Sequence, residues 1–271
     1  MAAGKAIFIT GGGSGIGRAM GLRFAREGWF IGLGDVDAEG MAETVGLLPR
    51  GGSFCHPLDV RDPAQWERAL AAFAKAAGGA VHVVANNAGV SHAGAIADHA
   101  DNQVAQLIDV NVLGVVNGAR AAFPWLRASA PNSCLLNTAS ASAIYGVGGI
   151  AVYSASKFAV RGLTEALDCE WADDGIRVRS IMPGFIDTPM LQLPSHPGSA
   201  MTKRESVLKA GMALTPIEDV AQAAWDAVHG KGLHRPVGRV ARLMELTARW
   251  APAYLRYRSR KLMNVRLGRD G

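Results

Sequence analysis

The chain has 271 residues and a net charge of +5; hydrophobic residues make up 49% of it and charged residues 19%. This composition is typical of a soluble globular protein, and no apolar run is long enough to span a membrane. The cysteines Cys55, Cys134 and Cys169 lack metal-ligand spacing, so we expect reduced thiols, no metal site and a cytoplasmic location. Residues 235–271 hold ten Lys and Arg against two acids, so residues 1–234 carry a net charge of −3. The sequence therefore argues against a protein built throughout to bind nucleic acid.

A glycine-rich loop follows the first predicted strand. That apolar strand spans residues 5–10, so we expect no signal peptide before it, and it runs into a loop with the spacing G-x-x-x-G-x-G. Glycines there permit a tight turn and let backbone N–H groups approach a pyrophosphate, which the N-terminus of the next helix attracts. A purely structural turn is the alternative. The candidate cofactor residues in this loop are Gly11, Ser14, Gly15, Ile16 and Gly17.

An acidic residue follows the second predicted strand, residues 29–33. Asp35 lies eighteen residues after Gly17, where a carboxylate can accept a hydrogen bond from the adenosine ribose 2′-hydroxyl and would repel a 2′-phosphate. Arg18 is a nearby cation that could oppose this preference. In the alternative interpretation, Asp35 only caps the turn into a helix that begins near Ala38. The sequence favours NAD over NADP.

The chain continues as an alternation of apolar strands and helices. Strands are predicted at residues 53–57, at 81–85, up to Ser140 and at 177–182; helices are predicted at 63–77, at 101–123, from about Tyr153 and at 217–229, the last with a capping box at Thr215–Glu218. This alternation predicts one doubly wound α/β domain with a parallel, Rossmann-type sheet. We assign residues 1–234 to this domain and residues 235–271 to a C-terminal helical extension of it.

Tyr153 and Lys157 are four residues apart, so on a helix the phenol and the ammonium share one face. A neighbouring positive charge favours the phenolate, and we expect Lys157 to lower the pKa of Tyr153 and make it a proton donor and acceptor. Ser140 lies thirteen residues upstream, at the predicted carboxyl end of a strand, where open α/β sheets bind ligands. Ser142 is a competing hydroxyl.

These motifs together resemble the short-chain dehydrogenase/reductase family over about residues 5 to 230. The resemblance implies that Ser140 binds the substrate oxygen, Tyr153 transfers its proton, Lys157 also binds the nicotinamide ribose, and Asn111 holds a water that links Lys157 to solvent. It also implies a homotetramer or dimer joined partly through the helices of Asn111 and Tyr153. The further cofactor contacts that it implies are Asp59, Val60, Asn87, Ala88, Gly89, Tyr153, Lys157, Pro183, Gly184, Ile186 and Thr188.

The resulting functional hypothesis is the NAD-dependent interconversion of a secondary alcohol and a ketone. The expected substrate pocket is formed by Ser140, Ile144, Val147, Phe185, Met190 and Leu191. Its apolar character favours a bulky lipophilic substrate, such as a steroid-like, retinoid-like or aryl alcohol. An NADPH-dependent 3-oxoacyl reductase is the alternative, which Asp35 and the lack of a short Gly-Gly ending oppose.

The extension alternates arginines with apolar residues in an amphipathic pattern, and Pro252 is expected to end or kink its first helix. Three interpretations are open: a helix that packs on the body or on another subunit, an apolar lid over the substrate, or a segment that lies on an anionic membrane. Packing is favoured, because amphipathic stripes most often serve it. A dinucleotide-binding protein whose tail engages a membrane or a partner protein is the alternative of another class.

Overall fold

The computed structural model describes residues 4–195 and 199–266. In this part of the chain seven parallel strands form one sheet, in the order β3-β2-β1-β4-β5-β6-β7. The strands are β1 (Ala6–Thr10), β2 (Phe30–Asp35), β3 (Ser53–Pro57), β4 (Val83–Asn86), β5 (Cys134–Thr138), β6 (Arg177–Pro183) and β7 (His234–Val237). The predicted doubly wound parallel sheet is confirmed.

Helices cover both faces of this sheet. The helices are α1 (Gly15–Ala25), α2 (Ala38–Gly46), α3 (Pro63–Ala76), α4 (Asp101–Ile108), α5 (Gly114–Ala128), α6 (Ala151–Glu170), α7 (Lys203–Lys209), α8 (Ile217–His229), α9 (Gly238–Trp250) and α10 (Pro252–Arg266). Residues of α1, α2 and α8 bury one core against the sheet, while residues of α3, α5 and α6 bury a second core on the opposite face. None of the described helices is both long and apolar enough to cross a bilayer.

The central strand β1 contributes to both cores. Ile7 and Ile9 face the first core and Phe8 faces the second, and all three are fully buried. Alternate side chains of a strand point to opposite faces, so a strand covered by helices on both faces is apolar throughout. Gly32 of β2 leaves room for this packing, because a Cβ there would lie 2.5 Å from ring atoms of Phe73.

The helix predicted over residues 101–123 is interrupted. Its first part, α4, ends at Ile108, a π-helical turn spans Asp109–Leu113, and α5 follows. Asn111 lies in this wider turn and is fully buried. Its amide is hydrogen-bonded outside the helix, and π-turns of this kind often occur at functional sites.

The capping box predicted before α8 is wrong, because Pro216 is the N-cap residue and no side chain caps this helix. Thr215 instead pairs with Ile186, and its N–H donates to the Phe185 carbonyl at 2.8 Å. This contact fastens the end of the segment that follows β6.

The boundary drawn after residue 234 falls inside β7, and the segment beyond the sheet begins at Gly238. As expected, the first helix of this segment ends at Trp250, just before Pro252. In α10, the Leu255 side chain is buried, and the Ser259 hydroxyl accepts a hydrogen bond from the Gly148 N–H at 3.0 Å. The segment therefore packs on the body, as the favoured interpretation expected.

Candidate active site

A cavity of about 490 Å³ opens at the carboxyl ends of the strands. It lies where the chain reverses direction across the sheet, between β1 and β4, which is the usual ligand position in a doubly wound sheet. The residues predicted to bind the cofactor that line it are Gly11, Ser14, Gly15, Ile16, Asp35, Asp59, Val60, Asn87, Ala88, Gly89, Tyr153, Lys157, Pro183, Gly184, Ile186 and Thr188. Their convergence follows from parallel strands, whose carboxyl ends all meet at one edge.

The glycine-rich loop has the geometry that a close backbone approach requires. Gly11 and Gly15 have φ of 67° and 51°, values that favour glycine. Gly17 does not line the cavity; a Cβ there would collide with the Gly11 carbonyl. Its role is therefore to pack α1 tightly against the loop. The loop leaves its backbone at the N-terminus of α1 clear for a phosphate group, so the residues present fit a dinucleotide.

Asp35 organises the far end of the cavity. Its carboxylate accepts hydrogen bonds from the Gly13 N–H at 2.9 Å and the Asp37 N–H at 3.1 Å. Asp35 does cap the turn into α2 through the Asp37 N–H, as the alternative expects, while the Asp37 side chain caps the helix itself through the Gly40 N–H. Asp35 also presents its carboxylate at the cavity wall.

The nearby arginines are engaged with acids. Arg18 forms an ion pair with Glu43 at 2.8 Å, donates to the Gly13 carbonyl, and does not line the cavity. Arg61 does line the cavity, but its guanidinium pairs with Asp59 at 2.6 Å. The hydrogen bond from Arg61 lowers the pKa of the Asp59 carboxyl, which keeps this pair ionised.

Amide side chains at residues 86 and 87 join neighbouring strand ends. The Asn86 side chain donates to the Asn137 side chain at 3.0 Å and so links β4 to β5. The Asn87 side chain donates to the Thr10 carbonyl at 2.9 Å and links β4 to β1. These bonds hold the cavity floor rigid.

The segment that follows β6 faces the glycine-rich loop across the cavity. Its Thr188 side chain lies beside Gly15, where an added Cβ would be 3.6 Å from the Thr188 Cβ. Pro183, Gly184 and Ile186 continue the same wall. Two motifs separated by about 170 residues are thus brought to opposite sides of one cavity.

Ser140, Tyr153 and Lys157 converge on the same cavity. The Ser140 side chain lies close enough to the Tyr153 hydroxyl to favour its ionised form, and the Ser140 oxygen accepts the Ser142 N–H at 3.1 Å. Because the Ser140 oxygen already accepts that bond, its own proton is free to point at Tyr153 or a ligand. Ser142, the competing hydroxyl, also lines the cavity.

Lys157 lies behind the phenol and does not touch its oxygen. The Lys157 Nζ donates to the Thr138 carbonyl at 2.9 Å and lies 5.7 Å from the centre of the Tyr153 ring. Burial raises the pKa of Tyr153, and the nearby Ser140 side chain offsets part of that rise. Burial also lowers the pKa of Lys157 to about 8. The expectation that Lys157 lowers the pKa of Tyr153 is therefore not met, because burial is the largest influence on this phenol.

Replacing Lys157 with Met is expected to stabilise the fold at pH 7 by up to about 3 kcal/mol, at about 1.4 kcal/mol per pKa unit. The pKa of Lys157 is lower in the folded state than the ordinary lysine value of 10.5, so below about pH 8 the wild type bears the full free-energy penalty of burying this charge. The penalty is relieved as the pH rises from about 8 to 10.5. Urea unfolding at both ends of this window measures the difference. A variant that is no more stable at pH 7, or whose advantage does not shrink with pH, would contradict the assignment.

Asn111 lies next to these groups without lining the cavity. Its side chain bonds both the N–H and the carbonyl of Val90 at 2.9 Å and donates to the Ser156 hydroxyl at 3.2 Å. Gly89 lies between it and Lys157, since a Cβ there would be 3.1 Å from the Asn111 Oδ1 and 3.6 Å from the Lys157 Nζ. Asn111 thus joins the floor of the cavity to the helix that bears Tyr153.

The substrate side of the cavity is largely apolar. Of the predicted substrate residues, Ser140, Val147, Phe185, Met190 and Leu191 line it. Ile144 does not, and the prediction for it is corrected: its side chain packs against a small core cluster that includes Val115 and Val160. The short helical turn at Ala141–Ala143 directs Ile144 into that core.

Helices α7 and α9 add lining residues to the predicted substrate pocket. Val240 and Met244 of α9 line the cavity, so the inner face of this helix fits the lid interpretation of the extension. The extension also packs on the body, as described above. Lys203 and Val207 of α7 also line the cavity, and the Lys203 ammonium donates to the Ser91 carbonyl at 2.9 Å. The amphipathic pattern of α9 is the signal that could have singled out Met244, because it lies opposite the exposed stripe of that helix.

Comparison with known proteins agrees with this geometry. The family model described as short chain dehydrogenase matches residues 5–196. A 2,5-dichloro-2,5-cyclohexadiene-1,4-diol dehydrogenase of Sphingobium indicum is 35% identical over 82% of this chain and 88% of that protein. A 3-alpha-(or 20-beta)-hydroxysteroid dehydrogenase of Mycobacterium bovis is 38% identical over 69% of this chain and 71% of that protein.

A solved structure extends the similarity over nearly the whole chain. A short chain dehydrogenase/reductase from Burkholderia phymatum, in complex with NAD, superposes with a TM-score of 0.79 and 27% identity, covering 94% of this chain and 95% of that one. The two chains therefore share one fold over nearly their whole length. The chain belongs to the short-chain dehydrogenase/reductase family and is an oxidoreductase of the alcohol dehydrogenase type, on a fold that binds a nicotinamide nucleotide.

Proposed function

We propose that this protein interconverts a lipophilic secondary alcohol and its ketone with NAD as the cofactor. The observation that carries the proposal is the convergence of Ser140, Tyr153 and Lys157 on one largely apolar cavity. The Ser140 and Tyr153 hydroxyls can hold one substrate oxygen from two sides. Lys157, behind Tyr153, supplies the cation of the site.

Tyr153 performs the proton transfer in this mechanism. When a ketone is reduced, the phenol donates its proton to the oxygen, and the raised pKa of Tyr153 keeps the phenol protonated until it does so. When an alcohol is oxidised, the Tyr153 oxygen accepts that proton while Ser140 holds the substrate oxygen. The bound nicotinamide supplies or accepts the hydride. Oxidation therefore speeds up and reduction slows down as the pH rises.

Lys157 and Asn111 support this transfer from behind. A positive charge at the Lys157 Nζ stabilises the developing phenolate, and its pKa of about 8 lets it lose or regain a proton near neutral pH. Asn111 fixes the Val90 backbone and Ser156 near that ammonium. We infer that Asn111 is a positioning residue for the path along which the proton leaves.

The preference for NAD rests on charge at the adenosine end. Asp35 presents a carboxylate at the cavity wall, where it can accept a bond from a ribose 2′-hydroxyl and repel a 2′-phosphate. Arg18 pairs with Glu43, and Arg61 pairs with Asp59. Either cation would have to give up its ion pair to bind a 2′-phosphate. The solved relative in complex with NAD supports the same choice.

The lipophilic substrate class rests on the cavity wall. Val147, Phe185, Met190 and Leu191, with Met244 from α9, give it an apolar surface. Apolar burial contributes roughly 25 cal/mol per Å², so each additional apolar group of a substrate that fits this wall should raise affinity. Two relatives are named for a cyclohexadiene diol and for hydroxysteroids, which supports substrates that contain rings.

A graded series of secondary alcohols tests this proposal. With NAD present, kcat/KM should rise from 2-propanol through cyclohexanol to a hydroxysteroid, because the larger alcohols bury more apolar surface. Met244→Lys should flatten this rise, since an ammonium in the wall disfavours apolar rings. A series in which the smallest alcohol is preferred, or in which only a 3-oxoacyl thioester with NADPH reacts, would reject the substrate class.

We also infer that the chain forms a homodimer or tetramer through the helices of Asn111 and Tyr153. Leu113 and Phe158 are 48% and 42% exposed, and an apolar groove lies beside them. The groove is lined by Val112, Val116, Ala159, Val160, Gly162, Leu163 and Ala166. An exposed apolar surface of this kind is typical of a protein interface.

Phe158→Glu is expected to lower the oligomer mass, because it places a charge in the proposed interface. Light scattering coupled to size-exclusion chromatography measures the mass. Leu47→Glu is the matched control, since Leu47 is 59% exposed at the end of α2 and should leave the mass unchanged. A wild type that is monomeric, or a Phe158→Glu variant of unchanged mass, would reject this interface.

A further inference from the structure

Helix α9 has two apolar faces, and only one of them is used by the body. Its inner face buries Ala241 and contributes Val240 and Met244 to the cavity wall. On the opposite face Leu243, Leu246 and Trp250 are 54%, 62% and 76% exposed. Their spacing of three and four residues places them in one line along the helix, here called the α9 stripe. Packing on the body does not account for this stripe.

Positive charge surrounds the α9 stripe. Arg239, Arg242 and Arg249 are exposed on the same helix, and the Arg249 guanidinium lies 5.4 Å from the centre of the Trp250 ring. Within the described residues, none of these three arginines forms an ion pair. Glu245 is the one acid of α9.

Helix α10 extends this surface with the same composition. Tyr254 and Tyr257 are 47% and 63% exposed. The exposed cations of this helix, within its described side chains, are Arg256, Arg258, Arg260 and Lys261. The last part of the chain thus exposes aromatic, aliphatic and cationic side chains together, while its acids are few.

We propose that the α9 stripe and the cations around it dock this protein onto an anionic phospholipid bilayer. Trp and Tyr favour the interface between lipid and water, and aliphatic side chains enter the region below the headgroups. Arginines attract anionic headgroups, and the inner leaflet is the anionic surface available in the proposed cytoplasmic location. The helix would lie in the plane of the interface with its inner face still on the body.

A second copy of the chain is a poorer occupant of the same surface. A two-fold interface places identical patches against each other, so the arginines of one copy would face those of the other with Glu245 as their only acidic partner on α9. Such an arrangement is repulsive unless other charges intervene. A bilayer supplies many negative charges and also accepts the exposed apolar side chains.

The docking is independent of the proposed reaction, because it depends on the outer surface of α9 alone. The helix that would meet the lipid also forms part of the cavity wall, through Val240 and Met244. A lipophilic alcohol dissolved in the bilayer would then be close to the mouth of the cavity. Binding to vesicles can be measured without any substrate, so the two proposals fail separately.

Sedimentation with sucrose-loaded phosphatidylcholine vesicles, with and without phosphatidylserine, tests the docking. The full-length wild type should bind the phosphatidylserine vesicles and be released by high salt. Removing one arginine should weaken vesicle binding about fivefold. The double variant Arg242→Glu/Arg249→Glu should therefore weaken it at least about twentyfold. The control is Arg26→Glu/Arg50→Glu, which changes the net charge by the same amount at two exposed sites outside the extension. This control should bind the vesicles nearly as well as the wild type does.

The Trp250 side chain provides a second measurement. Vesicles with brominated acyl chains should quench part of the tryptophan fluorescence of the wild type, and Trp250→Phe should lose that part.

Equal vesicle binding by the wild type and Arg242→Glu/Arg249→Glu would overturn the proposal. A fall in oligomer mass of that variant would instead assign the stripe to a second copy, and DNA binding as strong as vesicle binding would assign it to nucleic acid.

Discussion

Tyr153→Phe is expected to reduce kcat for alcohol oxidation by about 10³-fold or more, because it removes the hydroxyl that transfers the substrate proton. Positioned acid and base groups commonly contribute factors of about 10² to 10⁴, and here no second phenol lines the cavity among the described residues. The ring that remains still packs beside Lys157, so the variant should bind NADH as the wild type does. Initial rates together with NADH fluorescence titration separate these two effects.

Tyr145→Phe is the matched control for this substitution. Tyr145 lies in the loop before α6 and does not line the cavity, so losing its hydroxyl should leave the rate nearly unchanged. If Tyr153→Phe retained more than a tenth or so of the wild-type kcat, the proton would have another path. Loss of NADH binding in Tyr153→Phe would instead show that the substitution damages the nucleotide site.

Asp35→Ser combined with Val36→Arg is expected to move the preference from NAD toward NADP by about 10²-fold or more in the ratio of kcat/KM values. Hydrogen bonds to charged groups contribute about 1.5–3 kcal/mol, and the double variant loses one with the ribose hydroxyl and gains one with the 2′-phosphate. Val36 is 74% exposed at the cavity wall, so an arginine there has room to reach the phosphate.

Asp35→Asn is the control for the structural part of this effect. The Asp35 carboxylate also accepts the N–H groups of Gly13 and Asp37, and asparagine retains one acceptor oxygen without the charge. Asp35→Asn should therefore weaken discrimination against NADP while the loop keeps its shape. A wild type that already prefers NADP would show that Arg18 or Arg61 leaves its ion pair to bind the 2′-phosphate.

Much of the site could be predicted because its residues follow local rules. Tyr153 and Lys157 share a helix face through a spacing of four residues, and this holds wherever the helix lies. Ser140, Asp35 and Asn87 follow or end apolar strands, and parallel strands bring all such ends to one edge. The sheet order itself agrees with the alternation of strands and helices along the chain.

The remainder depends on packing between distant segments, which spacing does not encode. Ile144 is only four residues from Ser140, yet a short helical turn directs it into a core. Met244 reaches the cavity because α9 folds back over the sheet edge from beyond β7. The direction in which the pKa of Tyr153 moves depends mainly on how deeply the whole site is buried.

The measurement that tests the central claim most directly is hydride transfer from a labelled substrate. The wild type is incubated with NAD and cyclohexanol that carries deuterium on the carbinol carbon, and the recovered NADH is examined by mass spectrometry and NMR. The account predicts deuterium at the nicotinamide C4 on a single face, cyclohexanone as the product, and loss of both in Tyr153→Phe. NADH that binds with no label transferred from any alcohol of the graded series would contradict it.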